Sequence, residues 1–153
     1  MAFLSSMDAI GSALTAQQLR LDVVSENITN MNTTRTEGGG AYRRKMVVFE
    51  AREGGGSFRQ MLDRRSLLGG VTGSETAAGG VRVREIVEDP SDLKLIYDPQ
   101  NPDANAEGYV EYPNVTLVKE VTDAMAATQA YSAGVTALNT LKTIANKALE
   151  IGK

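Results

Sequence analysis

The chain has 153 residues with 16 basic and 19 acidic side chains and a formal charge of −3, enough for one modest core and without the net charge that would draw it to nucleic acid or an anionic membrane. It contains no Cys and no His, which removes disulfides, thiol nucleophiles, histidine bases, Ser-His-Asp triads and Cys/His zinc sites. Its 42% hydrophobic residues include only three Phe, five Tyr and no Trp, so small side chains dominate and helix-on-helix packing is favoured over a wide sandwich.

The first predicted element is a helix over residues 3 to about 31. Met7, Ile10, Leu14, Gln17, Leu21, Val24, Ile28 and Met31 alternate spacings of three and four, a heptad seam. Asn27, Asn30 and Asn32 crowd its end, where the tolerance of Asn for left-handed backbone helps stop a helix. No Lys or Arg precedes Arg20 and the N-terminus has no compact apolar block followed by a small-residue cleavage site, so a Sec-type signal is not expected.

The middle of the chain changes texture. A strand is predicted at 45 to 50, a second where Val81, Val83 and Val87 alternate with charges, a third at Leu93, Leu95 and Tyr97, and a fourth at Tyr109 to Tyr112. Glycines at 38 to 40, 54 to 56 and 79 to 80 mark loops, and residues 54 to 79 read as an insertion with a short helix around 58 to 68. No apolar run exceeds four residues, as in Met46-Val47-Val48-Phe49, far short of the roughly 20 residues of a membrane helix.

The last predicted element is a helix from 115 to 150, beginning after Pro113-Asn114. Leu117, Val121, Ala124, Thr128, Tyr131, Val135, Leu138, Lys142, Ala145 and Leu149 again step by four and three, while Leu141, Ile144, Ala148 and Ile151 widen the apolar face. The expected fold is therefore α+β: a discontinuous, coiled-coil-like pair of terminal helices flanking a small β-rich middle with a Gly-rich insertion. The expected divisions are 1–36, 37–114 and 115–153.

A heptad seam needs one or two partner helices, and the other terminal helix is the obvious first one. The remaining apolar surface exceeds what so small a middle can cover, so further copies or homologous subunits are expected to cover it. The candidate contact residues are Met7, Ile10, Leu14, Leu21, Val24, Ile28 and Met31 on the first helix, and Val121, Tyr131, Val135, Leu138, Leu141, Ile144, Ala148 and Ile151 on the second. An adaptor that uses the same stripes to grip a single partner helix is the competing reading.

Other patterns carry little chemistry. Asn101-x-Asp103-x-Asn105 opens like a calcium loop, but Ala106 stands where Gly is wanted and Tyr112 where Glu is wanted. No glycine cluster leads into a phosphate loop. Arg43-Arg44-Lys45 is expected to be a solvated or subunit-facing strand edge. No catalytic, metal or cofactor-binding residues are expected.

Ser12-Ala13-Leu14-Thr15-Ala16-Gln17 with Leu21-Asp22-Val23-Val24-Ser25-Glu26-Asn27-Ile28-Thr29-Asn30 resembles the N-terminal signature of the axial proteins of the bacterial flagellar rod and hook. Tyr42 to Glu50, Asn101 to Ala104, Glu107 to Val110 and Pro113-Asn114-Val115 are similar to later parts of that family, while the loop after Asn32 lacks its usual Pro-Gly-Tyr. The resemblance implies a subunit of the proximal rod of the flagellar basal body, exported by the flagellar type III apparatus. It also implies assembly beside FlgB, FlgF, FlgG and FliE.

Overall fold

A computed structural model describes residues 2–52 and 79–151, with the backbone alone for Ala2, Phe3 and Ile151. The expected short helix at 58 to 68 lies outside the described residues, as does most of the expected insertion. The elements run α1 (Ala2–Thr29), β1 (Lys45–Ala51), β2 (Val81–Glu88), β3 (Lys94–Tyr97), β4 (Tyr109–Tyr112) and α2 (Leu117–Ile151). The α+β expectation holds, with each element within a few residues of its predicted place.

Helix α1 stops where Asn30 folds back and donates its side-chain amide to the Glu26 carbonyl at 3.0 Å, after which Thr33 closes a turn on Asn30. Helix α2 starts after buried Pro113, with the Thr116 carbonyl accepting from Lys119 and Glu120. At about 1.5 Å per residue the two helices are roughly 42 and 52 Å long. They run antiparallel: Leu14 lies against Gly134, Arg20 against Asp123, and Asn27 against Glu120.

Strands β1 and β2 form one antiparallel ribbon, from Lys45 opposite Glu88 to Ala51 opposite Val81, with a register shift between Val48 and Phe49. Strands β3 and β4 form another, from Lys94 opposite Tyr112 to Tyr97 opposite Tyr109. Two-stranded ribbons are marginal alone, and the first is held against α1. Its anchor is Gly80, which has φ +96 and lies so close to the helix that a Cβ would sit 2.1 Å from Ser12 Oγ and 3.0 Å from Ala9 Cα. Glycine alone fits this left-handed approach. Ser12 Oγ then accepts the Val81 amide at 3.1 Å.

Helix α1 is thus covered on two sides, by α2 and by the β1–β2 ribbon, whereas α1 is the only regular element on which α2 packs among the described residues. The buried residues are Ala16, Val23, Val24 and Asn27 of α1, Tyr42, Arg44, Val110, Pro113 and Val115 of the middle, and Glu120 and Ala127 of α2. The core therefore occupies one end of the helix pair. Among the described residues, none before Ala16 or after Ala127 is buried.

The α2 row that faces α1 differs from the predicted one. Glu120, Asp123, Ala124, Ala127, Tyr131, Gly134, Leu138, Leu141 and Ala145 are the buried or half-buried positions, while Leu117, Val121, Thr128, Val135, Lys142 and Leu149 of the predicted row are exposed. Two interleaved heptad rows share Ala124, Tyr131, Leu138 and Ala145. The true one uses Glu120 and Gly134 where hydrophobicity favoured Val121 and Val135, because close approach and a charge pair, not bulk, decide the contact.

Candidate functional site

The end of the helix pair nearest the ribbons is closed by a buried polar clasp. Asn27 on α1 exposes none of its surface, as does Glu120 on α2, so both need partners. The Asn27 side chain satisfies its full capacity. It donates to the Lys45 carbonyl at 2.9 Å and to Glu120 Oε2 at 3.0 Å, and it accepts from the Lys45 amide and the Tyr42 hydroxyl, each at 2.9 Å. With respect to Lys45 the side-chain amide imitates a neighbouring strand.

Arg44 completes the clasp from the segment that enters β1. It is 6% exposed, with its Nε on Glu120, one terminal nitrogen 3.0 Å from Asp123 and the other 3.7 Å from Asp89. Arg20 of α1 reaches the other oxygen of Asp123 at 3.1 Å. The expectation of a solvated or subunit-facing basic edge is therefore corrected for Arg44: its planar, permanently charged fork is what three carboxylates, two from α2 and one from the segment after β2, require. Lys45 does lie partly exposed, paired with Glu26.

Asn114 ties the second ribbon into the same cluster. Its oxygen accepts the Arg44 amide at 2.8 Å, and its nitrogen donates to the Asp89 and Ser91 carbonyls and to the Ser91 hydroxyl. Hydrogen bonds from the Ser91 hydroxyl and amide, aided by the charges of Arg44 and Lys119, hold the Asp89 carboxyl below its ordinary range. Burial, then the negative charges of Glu26, Glu120 and Glu88, push the Tyr42 hydroxyl up to about 12.

The calcium-like run serves as turn chemistry. Asn101 and Asn105 accept amides of Asp103, Glu107 and Tyr109 within their own loop, and Asp103 accepts the Thr34 hydroxyl at 2.8 Å. Among the described residues no group of three or more His, Cys, Asp or Glu could hold a metal ion, and no helix is long and apolar enough to cross a membrane.

Away from the clasp lies the open part of the stem. Of the candidate contact residues, Val24 is buried, and Met7, Ile10, Leu14, Leu21, Ile28, Met31, Tyr131, Leu138 and Leu141 are half-buried. Val121, Val135, Ile144 and Ala148 are exposed, and the Ile151 side chain lies outside the described residues. Val118 and Met125, on the α2 face turned away from α1, are 75% and 68% exposed. Sequence reasoning missed the clasp, although one signal was available: a polar Asn27 at heptad spacing from Arg20 and Val23.

The helix pair is joined by a polar clasp and left largely exposed along one helix, and sequence comparison supplies the class. Residues 7–35 match the family described as "Flagella basal body rod protein", and residues 106–151 match "Flagellar basal body rod FlgEFG protein C-terminal". The class is that of flagellar basal-body rod proteins. The chain is similar to the flagellar basal-body rod protein FlgC of Bacillus subtilis, at 48% identity covering 97% of each chain. It is also similar to that of Borreliella burgdorferi, at 41% identity covering 99% of this chain and 98% of the relative, and to that of Escherichia coli O157:H7, at 38% over the whole of both. The chain belongs to the FlgC family of flagellar basal-body rod proteins.

Proposed function

We propose that the chain is a structural subunit of the proximal rod of the flagellar basal body, polymerising through α1 and α2 into the shaft that transmits torque. The observation that carries this reading is the length of helix covered on one side only: α2 continues for about 24 residues past Ala127, roughly 36 Å, with none of its described residues buried and most of them exposed. In a lone molecule that surface stays wet, whereas a dense tube of such helices buries it and is stiff because it is close-packed.

In this reading residues 1–36 and 115–153 form the rod core and residues 37–114 lie outside it as a β-rich collar. The contact set is Met7, Ile10, Leu14, Leu21, Val24, Ile28 and Met31 with Val121, Tyr131, Val135, Leu138, Leu141, Ile144, Ala148 and Ile151, of which the half-buried members also hold the two helices together. The role is mechanical and takes no catalytic residue, cofactor or metal. Its neighbours are copies of itself and the rod proteins FlgB, FlgF, FlgG and FliE, and its route is the flagellar type III export apparatus.

The test is genetic and biochemical. Deleting the gene is expected to abolish swimming and leave basal bodies without a complete rod, and the tagged wild-type chain, restored, is expected in purified basal bodies. Swimming in the deletion strain, or a restored chain absent from basal bodies, would refute the proposal.

A further inference from the structure

Strand β3 is exposed along its whole length, and β4 is its one neighbour among the described strands. Asp98 donates its amide to the Gly108 carbonyl at 2.9 Å. In the alternating antiparallel ladder Ile96 and Val110 therefore exchange hydrogen bonds, while Leu95 and Tyr97 direct their N–H and C=O groups away from β4. Natural sheets often blunt such an edge with a charge, a proline or a bulge. Here the register with β4 is unbroken, and the amine of Lys94, the one charge of β3, is turned to the Val115 carbonyl.

The face that Leu95 and Tyr97 share is apolar with an acidic surround. The two side chains are 63% and 65% exposed. Opposite them in register stand Glu111 and Tyr109, and the rings of Tyr97 and Tyr109 meet edge to face with centroids 5.3 Å apart. Asp92 precedes β3 and Glu107 precedes β4, which puts one carboxylate beyond each end of the ribbon. Among the described residues Asp92, Glu107 and Glu111 take part in no ion pair.

We propose that the free edge of β3 receives an extended basic segment of another protein as a third strand. Its backbone bonds to the outward groups of Leu95 and Tyr97, and its side chains alternate between the two faces of the ribbon. Cationic side chains on the outer face lie over the tyrosine rings and beside Glu111, with their stems on Leu95. The alternate positions, on the other face, lie beside exposed Ile96 and are apolar. This surface belongs to the middle region and shares no residue with the helix contacts of the rod reading.

The charges decide against a second copy as the occupant. Lys45, Arg82 and Arg84 of β1 and β2 are already paired with Glu26, Glu50 and Glu85, so those strands bring no free cation. Two β3 edges meeting each other would set carboxylates against carboxylates, which is destabilising across a strand pair.

The test titrates the purified full chain with a blocked, fluorescent peptide of alternating arginine and valine. One control peptide alternates glutamate and valine, and another is the arginine peptide N-methylated at alternate residues, which keeps the charge and removes the strand bonds. The arginine peptide is expected to bind and to slow deuterium exchange at the Leu95 and Tyr97 amides. Both controls, and the Glu111→Lys chain with the arginine peptide, are expected to bind weaker by about tenfold or more. No binding by the arginine peptide, equal binding by its N-methylated form, or protection elsewhere in the chain overturns the proposal, and leaves rod membership standing. The chain contains no Cys, so Leu95→Cys supplies a second measure: covalent dimers of the chain on oxidation of isolated basal bodies would assign the edge to a second copy and overturn it equally.

Discussion

Asn27 and Glu120, 93 positions apart, meet through a 3.0 Å hydrogen bond between two side chains that expose none of their surface. One belongs to α1 and the other to α2, so the bond fixes the register of the helix pair at the end nearest the ribbons. Arg44 and Lys45 then carry that register into β1.

Replacing Asn27 by Leu removes four hydrogen bonds at once and strands Glu120 Oε2, the Lys45 peptide and the Tyr42 hydroxyl, while Glu120 Oε1 keeps Arg44. At about 1–3 kcal/mol for each buried group left unsatisfied, the loss is expected to be about 3 kcal/mol or more, a large part of the stability of a small domain. Urea melts of the dilute chain measure it, and a change below about 1 kcal/mol would show that the clasp is not the core of the fold.

Arg44→Leu leaves Glu120 buried with only Asn27 as partner, and breaking such a pair typically costs about 3–5 kcal/mol. Glu120→Leu is expected to be milder, because Arg44 keeps Asp123 and Asp89. The double variant Arg44→Leu/Glu120→Leu should be more stable than the sum of the single losses implies, the signature of direct coupling. Additive losses would contradict the geometry.

The Tyr42 hydroxyl supplies a pH dependence. Its folded value of about 12 lies above the ordinary 10.0, so between those values the folded state holds a proton that the unfolded state releases. Stability contributed by this group is fully present below pH 10 and declines as pH rises toward 12. Denaturation across that window should show a decline for the parent that is shallower in Tyr42→Phe, and identical slopes would exclude Tyr42 as the source.

Gly80→Ala is expected to destabilise more than Gly134→Ala. At position 80 the added methyl meets Ser12 Oγ at 2.1 Å and helix backbone at 3.0 Å from a left-handed conformation; at 134 it meets only the Leu14 side chain, Cδ2 at 2.8 Å and Cγ at 3.4 Å. The helix gains about 1 kcal/mol from Ala over Gly, which offsets the shift of Leu14. Melting temperatures of the two variants decide the order, and the reverse ranking would count against the anchor at Ser12.

Ile144→Asp and Leu138→Asp separate assembly from folding. Ile144 is 57% exposed, so the free chain should melt unchanged while swimming is lost. Leu138 is half-buried on the row facing α1, so its charge should weaken both the fold and the rod. Normal motility in Ile144→Asp would remove that residue from the contact set.

Periodicity located both helices and all four strands from the spacing of their apolar residues. It placed α2 correctly and chose the wrong row. Seen as hydrophobicity, Val121 and Val135 outrank Glu120 and Gly134, yet Gly134 faces the partner because it lacks a side chain and Glu120 because Arg44 waits for it. Arg44 itself reads as one of three consecutive cations, and only the fold distinguishes the buried one from its neighbours. Asn27 near a helix end has the composition of a stop signal, and its role becomes legible only when Lys45 is brought beside it.

The strand-like pairing of Asn27 with the Lys45 peptide has an experimental use. The Lys45 amide stands at the first position of a two-stranded ribbon, where deuterium uptake would ordinarily be fast. Because its acceptor is a side chain of α1, its exchange is tied to separation of α1 from β1, which makes this single proton a reporter, by nuclear magnetic resonance, of how often that junction opens.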